Sequence, residues 1–311
     1  MLHPLKPPAL RPGDAVRVLS LASPVSEERL RRGCEELTRL GYVPKVDCPS
    51  VLAHESFFAG PAACRVRTFQ GALRDPEVRG IVCSRGGYGS TYLLETLGGI
   101  ASPAKVFVGF SDCTALQVFL WQKFRWTTFC GPMVAAGLDA GAGAAEGYDR
   151  ESLHRALSET QRGWALDLQA ESLVEGTAEG ILLGGCLTLV ESTLGTPWEL
   201  NTDGAILILE DVGMKPYQLD RSFMHLKQAG KFRKVAAVIL GDFPECEPAA
   251  GGEGAKEIAA RIFAPLGIPV AWGAPVGHTK RPMLTVPLGI SARLSNGAGA
   301  RLEMLEPACS A

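Results

Sequence analysis

Lys105-Val106-Phe107-Val108-Gly109-Phe110-Ser111-Asp112-Cys113-Thr114-Ala115-Leu116 decides the fold of this chain. The apolar run predicts a buried strand over Lys105 to Phe110 that stops at a serine. A helix follows at once over Thr114 to Lys123. Such a turn lifts Ser111 out of the backbone at the carboxyl end of a sheet, where open α/β folds place their chemistry. Two readings of Ser111 stand side by side. Serine before a helix is a favoured N-cap. It is also a candidate nucleophile, which needs a base nearby because a hydroxyl is weak at neutral pH. One residue can do both.

On either side the same alternation continues. Val16 to Leu21 reads as a strand. Ser26 caps a helix whose apolar face is Leu30, Cys34, Leu37 and Leu40, stopped by Gly41. Arg65 to Leu73 is a second helix, Gly80 to Ser84 a second strand, and Thr91 to Leu97 the helix after it. Strands alternating with helices predict a parallel sheet covered on both faces. The pattern weakens between about Gly137 and Gly180, where Gly141-Ala142-Gly143-Ala144-Ala145 suits a linker. Beyond it, Ala205 to Leu209, Val235 to Leu240 and Val270 to Trp272 read as strands, with helices near Leu219 to Gln228 and Ala255 to Phe263. The domains expected are 1–140, a linker region over 141–180, and 181–311.

Composition narrows the function. The chain has 311 residues, 46% of them hydrophobic and 21% charged, which suits an ordinary globular protein with a sizeable core. Its 31 basic and 33 acidic residues give a net charge of -2, without the basic excess of a nucleic-acid-binding surface. Nine cysteines, an odd number without CxxC pairs, fit reduced thiols in the cytoplasm. The N-terminus has no signal-like apolar region, and no apolar run approaches the roughly 18 residues of a membrane span. No HExxH or clustered His/Cys spacing is present, so neither a metal nor a cofactor is expected.

Among five histidines, His278 stands out in Pro275-Val276-Gly277-His278-Thr279-Lys280, a loop just after a strand. Loop histidines are also common as plain surface residues, and His225, in a helical stretch, reads as structural. Ile206-Leu207-Ile208-Leu209 ends in Glu210-Asp211, either of which could orient a histidine. Acidic residues also simply mark where a strand leaves the core. Arg85-Gly86-Gly87-Tyr88-Gly89-Ser90-Thr91 follows a strand and precedes a helix. Its backbone could cradle a phosphate, donate amides to an oxyanion, or form a plain tight turn. It has neither P-loop nor GxGxxG spacing.

Five segments in order resemble the LD-carboxypeptidase family of serine peptidases, which includes the microcin-immunity peptidases. They are Arg85-Gly86-Gly87-Tyr88-Gly89, Gly109-Phe110-Ser111-Asp112-Cys113-Thr114, Leu183-Gly184-Gly185-Cys186-Leu187, Leu209 through Arg221, and Gly277-His278-Thr279 with Val286-Pro287-Leu288-Gly289. The resemblance implies an N-terminal parallel-sheet α/β domain, related to class I glutamine amidotransferases, and a C-terminal β-rich swivelling domain. It implies a triad of Ser111 as nucleophile, His278 as base and Glu210 orienting it. The oxyanion hole would be the backbone amides of Gly87 (or Gly86) and Asp112, with Arg85 and Tyr88 as substrate-binding candidates. A homodimer with a small peptide substrate is implied. The expected reaction is release of terminal D-alanine from murein tetrapeptides in cell-wall recycling. A microcin-immunity-like hydrolase of peptidyl- or aminoacyl-adenylate analogues is the alternative, with Trp198 and Trp272 as stacking candidates. A non-catalytic small-ligand-binding homologue is a third reading, against which the intact Ser111, Glu210 and His278 stand. Cys186 replaces an expected asparagine, and Lys280-Arg281-Pro282-Met283-Leu284 departs from a more polar stretch.

Overall fold

The computed structural model describes residues 4–99, 102–248 and 251–311. The first half supplies β1 (Ala15–Leu19), β2 (Val43–Lys45), β3 (Val78–Cys83), β4 (Val106–Gly109) and β5 (Thr128–Cys130). The rest adds β6 (Ala165–Asp167), β7 (Glu171–Val174), β8 (Gly176–Cys186), β9 (Ala205–Glu210) and β10 (Ala237–Gly241). After these come β11 (Val270–Ala274), β12 (Val286–Leu288), β13 (Ser291–Asn296) and β14 (Ala300–Met304). One sheet runs β12-β5-β4-β3-β1-β2, parallel except where β12 pairs antiparallel with β5. β4 is buried along its whole length, as a parallel strand between two helical layers must be.

The second sheet runs β6-β14-β13-β8-β9-β10-β11-β7, with β8 to β11 parallel and both flanks antiparallel. Only Glu175 separates β7 from β8, although β7 is an edge strand and β8 lies in mid-sheet. The sheet must therefore roll up at this corner. Asn296 of β13 fastens it, its amide nitrogen donating to Ser172 Oγ (2.9 Å), Val174 O (2.7 Å) and Val270 O (2.8 Å).

The helix predicted after Ser26 spans Glu27–Arg39, and the Ser26 hydroxyl accepts from the Arg29 amide. Helix Thr114–Phe124 has only a weak amphipathic pattern because almost all of it is buried. Its Leu116, Phe119 and Leu120 join the core of the first sheet, while Val118 and Trp121 join the core around β9 and β10. The helix behind Ser111 is thus wedged between the two halves.

The stretch 141–180, expected as a linker region, instead carries helix Arg150–Ser158, β6, β7 and the start of β8. β6 and β7 have three and four residues, too short for periodicity to reveal. Nor do the expected boundaries at 140 and 181 separate the sheets, since β12 crosses back to complete the first one. Among the described residues, no helix is long and apolar enough to cross a membrane.

Candidate active site

Ser111 stands just beyond β4, after Phe110, with φ 60, a left-handed backbone that residues other than glycine, asparagine and aspartate rarely adopt. Holding it there costs about 1–3 kcal/mol, and such strain gathers at functional positions. The capping alternative is not realised: the helical turn Ser111–Cys113 has Phe110 at its N-cap position, without a side-chain cap bond. The serine hydroxyl caps nothing among the described residues. Close beside it runs the glycine loop. A β-carbon on Gly86 would fall 2.8 Å from Ser111 Oγ and 2.7 Å from Ser111 Cβ, so any side chain there would occupy the hydroxyl's space.

The two carboxylates that end β9 part ways. Glu210 is fully buried, and its Oε2 accepts from the His278 backbone amide (2.8 Å) and pairs with His278 Nδ1 (2.7 Å). This approach requires Gly277, whose β-carbon would lie 2.2 Å from the Glu210 carboxyl carbon. Asp211 turns the other way, accepting from the Thr188 amide (2.9 Å), the Thr188 hydroxyl (2.7 Å) and the Val212 amide (2.8 Å). Burial opposes a charge on His278, but the adjoining Glu210 carboxylate, aided by Asp211 and Glu245, outweighs it and holds the imidazole above the ordinary histidine value. With Nδ1 facing Glu210, Nε2 is left for the cleft.

His278 stands against Phe110, ring centroids 5.0 Å apart and edge to face. The two rings line a cleft of about 180 Å³, together with Gly137 and Arg29 from the first half and Val212, Glu245 and Lys280 from the second. Ser111 therefore follows immediately on a cleft residue. Its hydroxyl makes no hydrogen bond to the His278 ring among the described residues. Unliganded sites commonly show such a gap, which tightens only when substrate binds.

Arg85 and Tyr88 flank the Gly86-Gly87 pair. Arg85 is exposed and reaches the Pro24 carbonyl (3.3 Å); Tyr88 joins an aromatic group with Phe57, Phe58 and Tyr92. His225 pairs with Glu191 on the surface, at 2.7 Å. Trp198 packs edge-on to Phe119, and Trp272 stacks on Phe243 at 10° between planes, so both are engaged by their own neighbours. Cys186 is buried where the halves meet, its amide donating to Thr114 Oγ1 (3.1 Å) and its thiol turned to Asp211. Arg29, Glu146 and Glu245, which also line the cleft, carried no sequence signal: Arg29 is one of a run of charges on the exposed face of its helix, and Glu146 and Glu245 lie in loops. Arg281 had none either, yet it braces the histidine loop by pairing with Asp242 (2.6 Å), which also accepts from Thr279.

A strand–serine–helix turn and a buried carboxylate–imidazole pair, brought to one cleft by Phe110 and His278, are the parts a serine-type hydrolase uses. The chain belongs to the LD-carboxypeptidase family: residues 16–131 match that family's N-terminal domain and residues 179–294 its C-terminal domain. A Bacillus subtilis protein named "Probable murein peptide carboxypeptidase" is 32% identical over 295 residues, covering 93% of this chain and 91% of its own. The crystal structure of a muramoyltetrapeptide carboxypeptidase from Oxalobacter formigenes superposes with a TM-score of 0.83 at 27% identity, covering 94% of this chain and 99% of that one. The microcin C7 self-immunity protein of Escherichia coli is 27% identical over 321 residues, 93% of this chain and 92% of its own.

Proposed function

We propose that this protein is a serine carboxypeptidase that releases terminal D-alanine from murein tetrapeptides, with Ser111, His278 and Glu210 as its triad. The observation that carries the reading is the buried Glu210–His278 bond of 2.7 Å beside a strained serine. Ser111 Oγ attacks the carbonyl joining the L-centre of the diamino acid to D-alanine, and His278 Nε2 takes its proton. The imidazolium, stabilised by Glu210, then protonates the departing D-alanine amine. Water hydrolyses the acyl-enzyme by the same route.

An accounting of backbone amides supports the oxyanion pocket. The amide of Tyr88 donates to Ser23 Oγ, those of Gly89 and Ser90 to the Asp112 carboxylate, and that of Cys113 to Phe110 O. Among the described residues, the amides of Gly86, Gly87 and Asp112 donate to no protein group. A β-carbon on Gly86 would lie 3.3 Å from the Asp112 nitrogen, so the Gly86 end of the loop borders that free donor. Gly87 and Asp112 are the pair we assign to the oxyanion, with Arg85 and Tyr88 as outlying substrate contacts. The reading extends to a cytoplasmic homodimer acting on recycled murein fragments.

The test is mass-spectrometric detection of D-alanine from L-Ala-γ-D-Glu-meso-diaminopimelate-D-Ala. Release by the parent and none by Ser111→Ala is expected. No release by a folded parent would turn attention to aminoacyl-adenylate analogues, in keeping with the self-immunity relative.

A further inference from the structure

A loop carrying Gly86, Gly87 and Gly89 has little rigidity of its own, because glycine admits more backbone conformations than any other residue. An oxyanion donor works only if it is held in place before the reaction. We propose that the Asp112 side chain is the positioning residue that builds this pocket, fixing the glycine loop over the nucleophile turn. This rests on the reading of Ser111 and the oxyanion amides given above.

The Asp112 side chain is 1% exposed, yet it makes no ion pair among the described residues. Its two oxygens divide between two loop amides: Oδ1 accepts from Gly89 (3.3 Å) and Oδ2 from Ser90 (2.8 Å). Ser90 Oγ returns the contact by donating to the Asp112 carbonyl (2.6 Å), so loop and turn are joined by three bonds. The far side of Gly89 is held as well. Arg65, itself 3% exposed, donates to Gly89 O (2.8 Å), to Leu21 O (2.7 Å) and to Gly60 O (3.2 Å). Upstream, Ser23 fixes Gly86 O through its amide and the Tyr88 amide through its hydroxyl. Every anchor falls on the residues flanking Gly87, and Gly87 N is left unspent.

One residue thereby sets both donors: the Asp112 amide is one, and its carboxylate locates the other. A carboxylate is required because two N–H groups converge on it. Asparagine offers one acceptor and would turn an NH2 toward the second amide. Asp112→Asn leaves the residue's own backbone amide in place, so the variant isolates the side chain's part.

The experiment compares the parent, Ser111→Ala, Asp112→Asn and Ser90→Ala on the tetrapeptide. It measures kcat, KM, the melting temperature, the affinity of the cleaved tripeptide, and inhibition by a peptide aldehyde whose hemiacetal oxygen occupies the pocket. Asp112→Asn is expected to lose roughly 10²–10³-fold in kcat, the effect of disabling one oxyanion donor. KM and tripeptide affinity should stay within about threefold while aldehyde affinity falls in step with kcat/KM. Ser90→Ala, which cuts the bond to the Asp112 carbonyl, should show the same split at about tenfold, and if Asp112→Asn does not fold, Asp112→Ser, which also removes the carboxylate, decides in its place. Variants with the parent's kcat, or with tripeptide affinity and kcat falling together, would overturn the inference while leaving the triad reading intact. A parent without turnover would overturn both.

Discussion

Ser111, Glu210 and His278 each depend on a neighbour that has no side chain to interfere. Gly86 clears the serine hydroxyl, and Gly277 lets the Glu210 carboxylate reach the histidine. The sequence marked out these three residues, but their grouping could not be read from local pattern: residues 111, 210 and 278 are joined only by the tertiary fold. Nor could spacing choose between Glu210 and Asp211. The alternation of a strand puts neighbours on opposite faces, and only the structure tells which face holds His278. The sign of the pH effect follows from the pair. Glu210 holds the imidazole above its ordinary value, so the base form of the parent is lost at a higher pH than in a free histidine. Glu210→Gln removes the carboxylate and leaves the opposing burial. The acidic limb of kcat/KM against pH should therefore move to lower pH, while the plateau of kcat falls by roughly 10³–10⁴-fold. An unmoved limb would mean that Glu210 does not face the base.

At the scale of elements, the strand–helix run from Lys105 was legible because a continuous apolar stretch followed by an abrupt change of period has few other readings. The β13–β14 hairpin was missed although Ala292, Leu294 and Asn296, then Ala300, Leu302 and Met304, alternate into the core on either side of a Gly297-Ala298-Gly299 turn. Alternation on both sides of a short glycine-containing connection is a hairpin signal. The glycine pair of Leu183-Gly184-Gly185-Cys186 has a packing role: a β-carbon on Gly185 would strike Thr114, and one on Gly184 would strike Ile208 O. Asp211 works at this scale too, tying the end of β9 to helix Leu187–Ser192. Asp211→Ala removes its bonds to the Thr188 amide and hydroxyl and to the Val212 amide, all part-buried, at about 1 kcal/mol. Denaturant unfolding should register that loss while D-alanine release per folded molecule persists. Glu210→Gln should do the reverse.

Across the whole molecule the two halves interlock. β12 returns from the C-terminal half to cover β5, the Ser310 backbone exchanges hydrogen bonds with Pro7 and Ala9, and helix Thr114–Phe124 feeds both cores. None of this was visible in the sequence, because a three-residue strand and a terminal tail carry no periodicity. A fragment ending at residue 140 would expose the edge of β5 and the apolar face of that helix. It is expected to aggregate, whereas a monodisperse, folded fragment in sedimentation and circular dichroism would show that the first sheet closes without β12. The cleft lies between these interlocked halves, the serine turn coming from one and the carboxylate–imidazole pair from the other. Its chemistry is tested most directly by quenching the reaction with the tetrapeptide within milliseconds and weighing the peptide that contains Ser111. A tripeptidyl ester on Ser111, absent from Ser111→Ala, is expected. Turnover by Ser111→Ala at the parent's rate, with no ester on the parent, would contradict Ser111 as the nucleophile.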